Sequence, residues 1–230
     1  MKELITNSAF FGVTISLLTY MLGLWLKKKF KFGFLNPLLI AIVVTLIVVA
    51  ACHMDYNTYY EGAKYLSYLL TPATVCLAIP LYEQLAQLKR HWKAIAAGIL
   101  SGVLTSLCCV LAMVLLFRLS HETYVTLLPK SITTAIGMGV SEELGGLVSI
   151  TAAVIIVTGV LGNVLGELVF KVFRIHEPVA RGVALGTSAH AIGTSKAMEL
   201  GEVEGAMSSL SIAVAGLLTV IGASVFAVFH

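Results

Sequence analysis

The chain has 230 residues, 58% of them hydrophobic and 12% charged, with a formal net charge of +3 and a mean hydropathy of +0.95. Soluble domains carry about 25% charged residues, so this composition excludes one. The small basic excess falls in short clusters rather than on a face suited to nucleic acid.

Uncharged apolar runs occupy residues 8–26, 36–52, 66–82, 94–117, 147–165 and 206–229. A run of roughly 17–25 residues crosses the ~30 Å hydrocarbon core as a helix, which predicts six spanning helices. The first run is longer than a signal-peptide core, and Lys27, Lys28, Lys29 and Lys31 follow it rather than a cleavage site, so it is expected to stay as helix 1. Asn36-Pro37 suits the start of helix 2, with Asn as cap and Pro in the first turn. Tyr56, Tyr59, Tyr60, Tyr65 and Tyr68, with Asp55 and Glu61, mark an interfacial helix or belt. Pro72 and Pro80 break helix 3, either to present carbonyls to a cavity or to kink the helix for packing. Cys52, Cys76, Cys108 and Cys109 show no ligand spacing and are expected to be buried free thiols. Gly162 and Gly166, four apart, are expected to allow close helix packing.

Ten of the fifteen Lys and Arg fall in three clusters: Lys27, Lys28, Lys29 and Lys31; Lys89, Arg90 and Lys93; Lys171, Arg174 and Arg181. Basic residues in short loops stay on the cytoplasmic side. Placing all three there makes both termini extracytoplasmic.

Residues 135–145 (AIGMGVSEELG) and 191–201 (AIGTSKAMELG) agree at six of eleven places and lie 56 residues apart. On the charge-derived topology the first enters and leaves from outside, the second from inside. Inverted, Gly-interrupted repeats of this kind mark carrier binding sites near the bilayer midplane. The predicted fold is therefore an all-α integral membrane protein of about six transmembrane helices plus two inverted re-entrant or broken-helix segments. It is a single polytopic domain over 1–230, with helices 1–4 in 8–117. The first re-entrant segment and helix 5 fill 121–170, and the inverted second segment and helix 6 fill 178–229.

Each segment is drawn as a hairpin, with turns at 131–134 and 186–190. A ten-residue arm rises about 15 Å, half the core, so the tips would meet near the middle. Lys130, Ser131, Thr133 and Thr134 at one tip, and Thr187, Ser188, His190 and Thr194 at the other, are the predicted substrate-binding residues. Hydroxyls, unpaired helix N-terminal amides and an ammonium together favour an anion. Histidine is the side chain most able to change protonation near neutral pH, and His190 sits at the second tip. Together with the repeat-equivalent Glu143 and Glu199 it is a candidate for proton or ion coupling. Lys196 stands three residues before Glu199 and can pair with it. Pro72, Pro80, Gly137, Gly139, Gly186 and Gly193 are the predicted structural breaks. A Ser188–Lys196 pair is conceivable, but there is no GxSxG turn, HExxH motif or phosphate loop. The expectation is no enzyme, no cofactor and no metal.

The chain resembles the LrgB/CidB family of antiholin-like membrane proteins along essentially its whole length. The resemblance is carried by Leu128-Pro129-Lys130-Ser131-Ile132-Thr133-Thr134, by residues 186–194 (GTSAHAIGT), by Asn36-Pro37-Leu38-Leu39 and by Ile79-Pro80-Leu81-Tyr82. Ala135 departs from the Pro that many relatives carry. The resemblance implies a bacterial inner-membrane protein, a separate holin-like partner of the LrgA/CidA type and a part in regulating cell lysis. It also implies transport of small monocarboxylates, since relatives are linked to pyruvate uptake and a plastidial relative moves glycolate and glycerate. Two readings follow. One is a carrier of small 2-hydroxy or 2-oxo acids, proton-coupled and working by alternating access, with a homodimer expected. The other is a non-transporting regulator of murein hydrolase activity that acts through the holin-like partner.

Overall fold

Apolar chain in lipid satisfies its backbone internally by forming helices. Helices are the only regular elements among the residues this computed structural model describes, 10–30, 36–76 and 78–230. Residues 8 and 9 of the first run, Lys31 and Leu77 lie outside the described residues. The chain divides into two compact units, Met1–Cys76 and Leu77–His230.

The first unit holds α1 (Phe11–Phe30), α2 (Pro37–Ala51), α3 (Tyr56–Ser67) and α4 (Leu70–Cys76). Helix α2 begins as its sequence dictates. The Asn36 side chain accepts from the Leu38 and Leu39 amides at 2.8 and 3.3 Å, and Pro37 opens the first turn. Asp55 likewise caps the tyrosine-rich α3. Small residues let these helices touch. Gly12 meets the backbone of Tyr59 and Ala63, and Gly23 meets Pro37. Thr19 and Thr45 share a 2.9 Å hydrogen bond, and Ser16 and Tyr59 one of 2.7 Å.

The second unit holds α5 (Ala78–Glu83), α6 (Leu85–Phe117), α7 (His121–Leu127), α8 (Thr134–Glu143), α9 (Val148–Val172), α10 (Pro178–Leu200) and α11 (Glu202–Phe226). A 3₁₀ turn (Ala227–Phe229) follows. Three stretches among the described residues, Leu85–Phe117, Val148–Val172 and Glu202–Phe229, are long and apolar enough to cross a membrane. One face of α6, carrying Ile95, Ile99, Val103, Leu107, Val110 and Val114 at helical spacing, forms the spine of the core. Against it pack Tyr124, Val125, Leu128, Val179, Val183 and Met207. Every buried side-chain nitrogen or oxygen among the described residues has a hydrogen-bond partner, as a low-dielectric interior demands.

Three expectations need correction. Lys89, Arg90 and Lys93 do not lie in a loop but in the opening turns of α6, because charge counting cannot tell a loop from a helix that projects past the lipid. The four cysteines are free, as predicted, but exposed rather than buried. The second break is narrower than 186–190. Only Ala189 (φ −130°, ψ 16°) and His190 (φ 41°, ψ −137°) leave helical geometry, and Gly186 stays helical and packs against Ser208 and Ser211 of α11. Gly137, Gly139 and Gly193 also lie inside helical arms, and Pro72 and Pro80 inside α4 and α5.

Candidate functional site

The chain reverses at Ala189 and His190, so α10 is a hairpin of two arms, 178–188 and 191–200. A methyl added at Gly193 would lie 2.5 Å from the carbonyl oxygen of Leu185. In a straight helix, residues eight apart stand about 12 Å apart along the axis. The repeated sequence makes the same crossing in the first hairpin, α7–α8. There Gly137 faces the carbonyl of Pro129, again eight residues earlier, at 3.3 Å. The AIG motif thus marks where a returning arm crosses its entering arm.

Helix α6 serves as a ruler for both hairpins. The first arm of α10 runs alongside it in the same direction, with Val183 against Gly98 and Thr187 Oγ1 3.0 Å from where a Gly102 Cβ would stand. The first hairpin comes from the other end. Its base lies near the C-terminus of α11, where the Tyr124 hydroxyl donates to the Phe226 carbonyl at 2.9 Å. Its tip reaches Ser106, whose Oγ is 3.0 Å from Ser131 Oγ. Gly102 and Ser106 are one helical turn, about 6 Å, apart. The two tips therefore meet half-way along α6, having approached from opposite ends.

Between them lies a cavity of about 910 Å³. Lys130 and Ser131 line it from the first tip, and Thr187 and Ser188 from the second. Helix α6 contributes Ser101, Gly102, Thr105, Ser106 and Cys109, and α9 contributes Thr158 and Gly162. The cavity follows α6 from His91 to Cys109, a rise of about 27 Å. His91 and Glu177 stand at the end where α10 begins. Toward the C-terminus of α6 the cavity lining ends at Lys130, Ser131, Ser106 and Cys109. There Lys130 Nζ donates to Ser131 Oγ at 3.0 Å.

A model of the LrgB-like family matches residues 16–229. This chain belongs to that family. Antiholin-like protein LrgB of Bacillus cereus (strain B4264) is 37% identical over 225 residues, covering 97% of this chain and 98% of the relative. The protein of the same name from Bacillus anthracis (strain CDC 684 / NRRL 3495) has the same identity and coverage. No solved structure matches the chain. Composition, helices and family agree on an all-α membrane protein.

Within this LrgB-family fold the predicted site residues separate into two groups. Lys130, Ser131, Thr187 and Ser188 line the cavity, whereas Thr133, Thr134, His190 and Thr194 are not among its lining residues. Thr133 and Thr134 instead begin α8 as its N-cap and first residue. His190 is buried and turned to α9, where its Nε2 stands 2.9 Å from the Ile155 carbonyl and its ring packs on Gly159. A carbonyl only accepts, so Nε2 carries the proton. Thr194 hydrogen-bonds Ser208 of α11 at 2.7 Å. Glu143 and Glu199 are exposed at the ends of their arms. Lys196 pairs with Glu199 at 3.2 Å, as the spacing foretells, and also with Glu167 of α9. Gly162 and Gly166 pack against Ala189 and Leu185.

Sequence reasoning missed the contribution of α6. Ala94, Gly98, Ser101, Gly102, Thr105, Ser106 and Cys109 all line the cavity and recur every three or four residues. That period was the available signal, since it puts them on one helical face.

Proposed function

We propose that this chain is a carrier of small monocarboxylates such as pyruvate, glycolate or lactate, working by alternating access in a bacterial inner membrane. The observation that carries this reading is the meeting of two oppositely directed hairpin tips at one cavity, with a lysine and hydroxyls where they meet. The ammonium supplies one positive charge, matching one carboxylate. The wall around it is mostly small and apolar, matching a short carbon chain. Solute on this reading enters from the end nearest the basic residues, and the meeting tips bar the other side in one of the two states a carrier alternates between. On this reading the hairpins are re-entrant, their bases lie at opposite faces of the bilayer, and both termini are extracytoplasmic. His190, Glu143 and Glu199 remain candidates for coupling to protons.

The relatives' names speak for a second reading more than for the first. They are called antiholin-like, which favours a regulator of cell lysis acting through a holin-like membrane partner of the LrgA/CidA type. Uptake of labelled pyruvate, lactate and glycolate into liposomes holding this chain alone separates the two. The carrier reading expects saturable flux that falls about tenfold or more in Lys130→Ala, since a charge-assisted hydrogen bond contributes about 1.5–3 kcal/mol. Absence of flux, with binding to a holin-like partner intact, supports the regulator.

A further inference from the structure

The hydroxyl protons around the cavity are not equally available. Thr187 Oγ1 donates to the carbonyls of Val183 and Ala184 at 2.8 and 3.2 Å, and Ser188 Oγ donates to that of Ala184 at 2.6 Å. Such back-bonding to the preceding turn is the usual habit of helical Ser and Thr. The second tip therefore turns lone pairs, not protons, toward a solute. The first tip differs. Lys130 Nζ donates to Ser131 Oγ, and Ser131 Oγ lies 3.0 Å from Ser106 Oγ. Ser131 Oγ accepts from the ammonium, and in its bond with Ser106 either hydroxyl can donate. Where Ser131 donates, the Ser106 hydroxyl proton has no acceptor among the described residues, and Ser106 lines the cavity. Lys130 and Ser106 are thus neighbouring donors on either side of a buried serine, one on the hairpin tip and one on α6.

We propose that Ser106 is a specificity-determining residue of this site. With the carboxylate of the solute on Lys130, the Ser106 hydroxyl donates to an oxygen on C2 and so separates 2-oxo and 2-hydroxy acids from unsubstituted acids of equal length. This rests on the carrier reading of the cavity. Volume cannot make that distinction, because about 910 Å³ far exceeds a three-carbon acid. A donor left unpaired by the wrong ligand can, since an unmatched polar group costs more than a missing methylene.

The test is equilibrium binding of pyruvate and of propionate to the purified full-length protein, with Ser106→Ala and Ser106→Thr beside the wild type. The expected result is a wild-type preference for pyruvate. Ser106→Ala lowers pyruvate affinity about tenfold and leaves propionate unchanged, as loss of one hydrogen bond implies. Ser106→Thr, which keeps the hydroxyl, restores the preference. A loss in Ser106→Ala that is equal for both acids shows a merely structural serine and overturns the proposal. So does pyruvate binding unaltered by the substitution, which leaves the carrier reading standing. Wild-type protein that binds neither acid overturns both together.

Discussion

His190 adopts φ 41° and ψ −137°, a combination costly for any residue with a Cβ, worth about 1–3 kcal/mol. Its buried ring, bonded to the Ile155 carbonyl and seated on Gly159, holds the reversal in place. His190→Ala is expected to lower stability by about 1–3 kcal/mol, because the Ile155 carbonyl loses its buried side-chain partner. His190→Gln, which retains a donor, is expected to lose less. Thermal unfolding of both variants in detergent checks the order. The histidine stood out in the sequence as a titratable group beside a predicted turn, and it does stand at the reversal. Its direction was not legible, because nothing local in the chain says which neighbouring helix a side chain at a reversal will face.

The helical hairpins depend on close crossings, and the two copies of the repeat differ in how much they tolerate there. A methyl at Gly193 meets main chain, the Leu185 carbonyl at 2.5 Å. At Gly137 the tightest neighbour is the flexible end of Ile155, and the Pro129 carbonyl stands back at 3.3 Å. Gly193→Ala is therefore expected to cost about 1–3 kcal/mol and Gly137→Ala clearly less, read as a difference in melting temperature between the two proteins. The repeat singled out both glycines but as breaks, because a repeated glycine says that no side chain fits there and not whether a kink or a close crossing is the reason. The stripe on α6 was harder to see. Ala, Gly, Ser, Thr and Cys sit in the middle of any hydropathy range, so an uncharged run conceals them unless its three-to-four-residue spacing is traced. Three of the six predicted spans, over 94–117, 147–165 and 206–229, fall in helices long and apolar enough to cross a membrane, while helix ends were not legible, as the helical Lys89, Arg90 and Lys93 show.

At the scale of the whole molecule, the proposed mechanism requires that the cavity connect to water at one end only. Cys109 is exposed and lines the cavity at the end where Lys130 and Ser106 stand, which makes it a native reporter. In a variant keeping Cys109 as the sole cysteine, a charged, membrane-impermeant thiol reagent is expected to react from the face bearing the basic clusters. From the opposite face it is expected to be inert, and pyruvate is expected to slow the reaction. Equal labelling from both faces would describe a continuous pore and sink the alternating arrangement.

Helix α6 has 33 residues, rising about 50 Å against a hydrocarbon core of ~30 Å. Its apolar stretch is at the C-terminal end, so on the proposed orientation the surplus length, with Lys89, Arg90 and Lys93, stands among phospholipid headgroups. The vestibule at His91 then opens into the layer where acidic lipids gather counterions. Headgroup phosphates and a dissolved organic acid would compete there for the same cations, so the lipid mixture chosen for reconstitution becomes a determinant of apparent affinity in its own right.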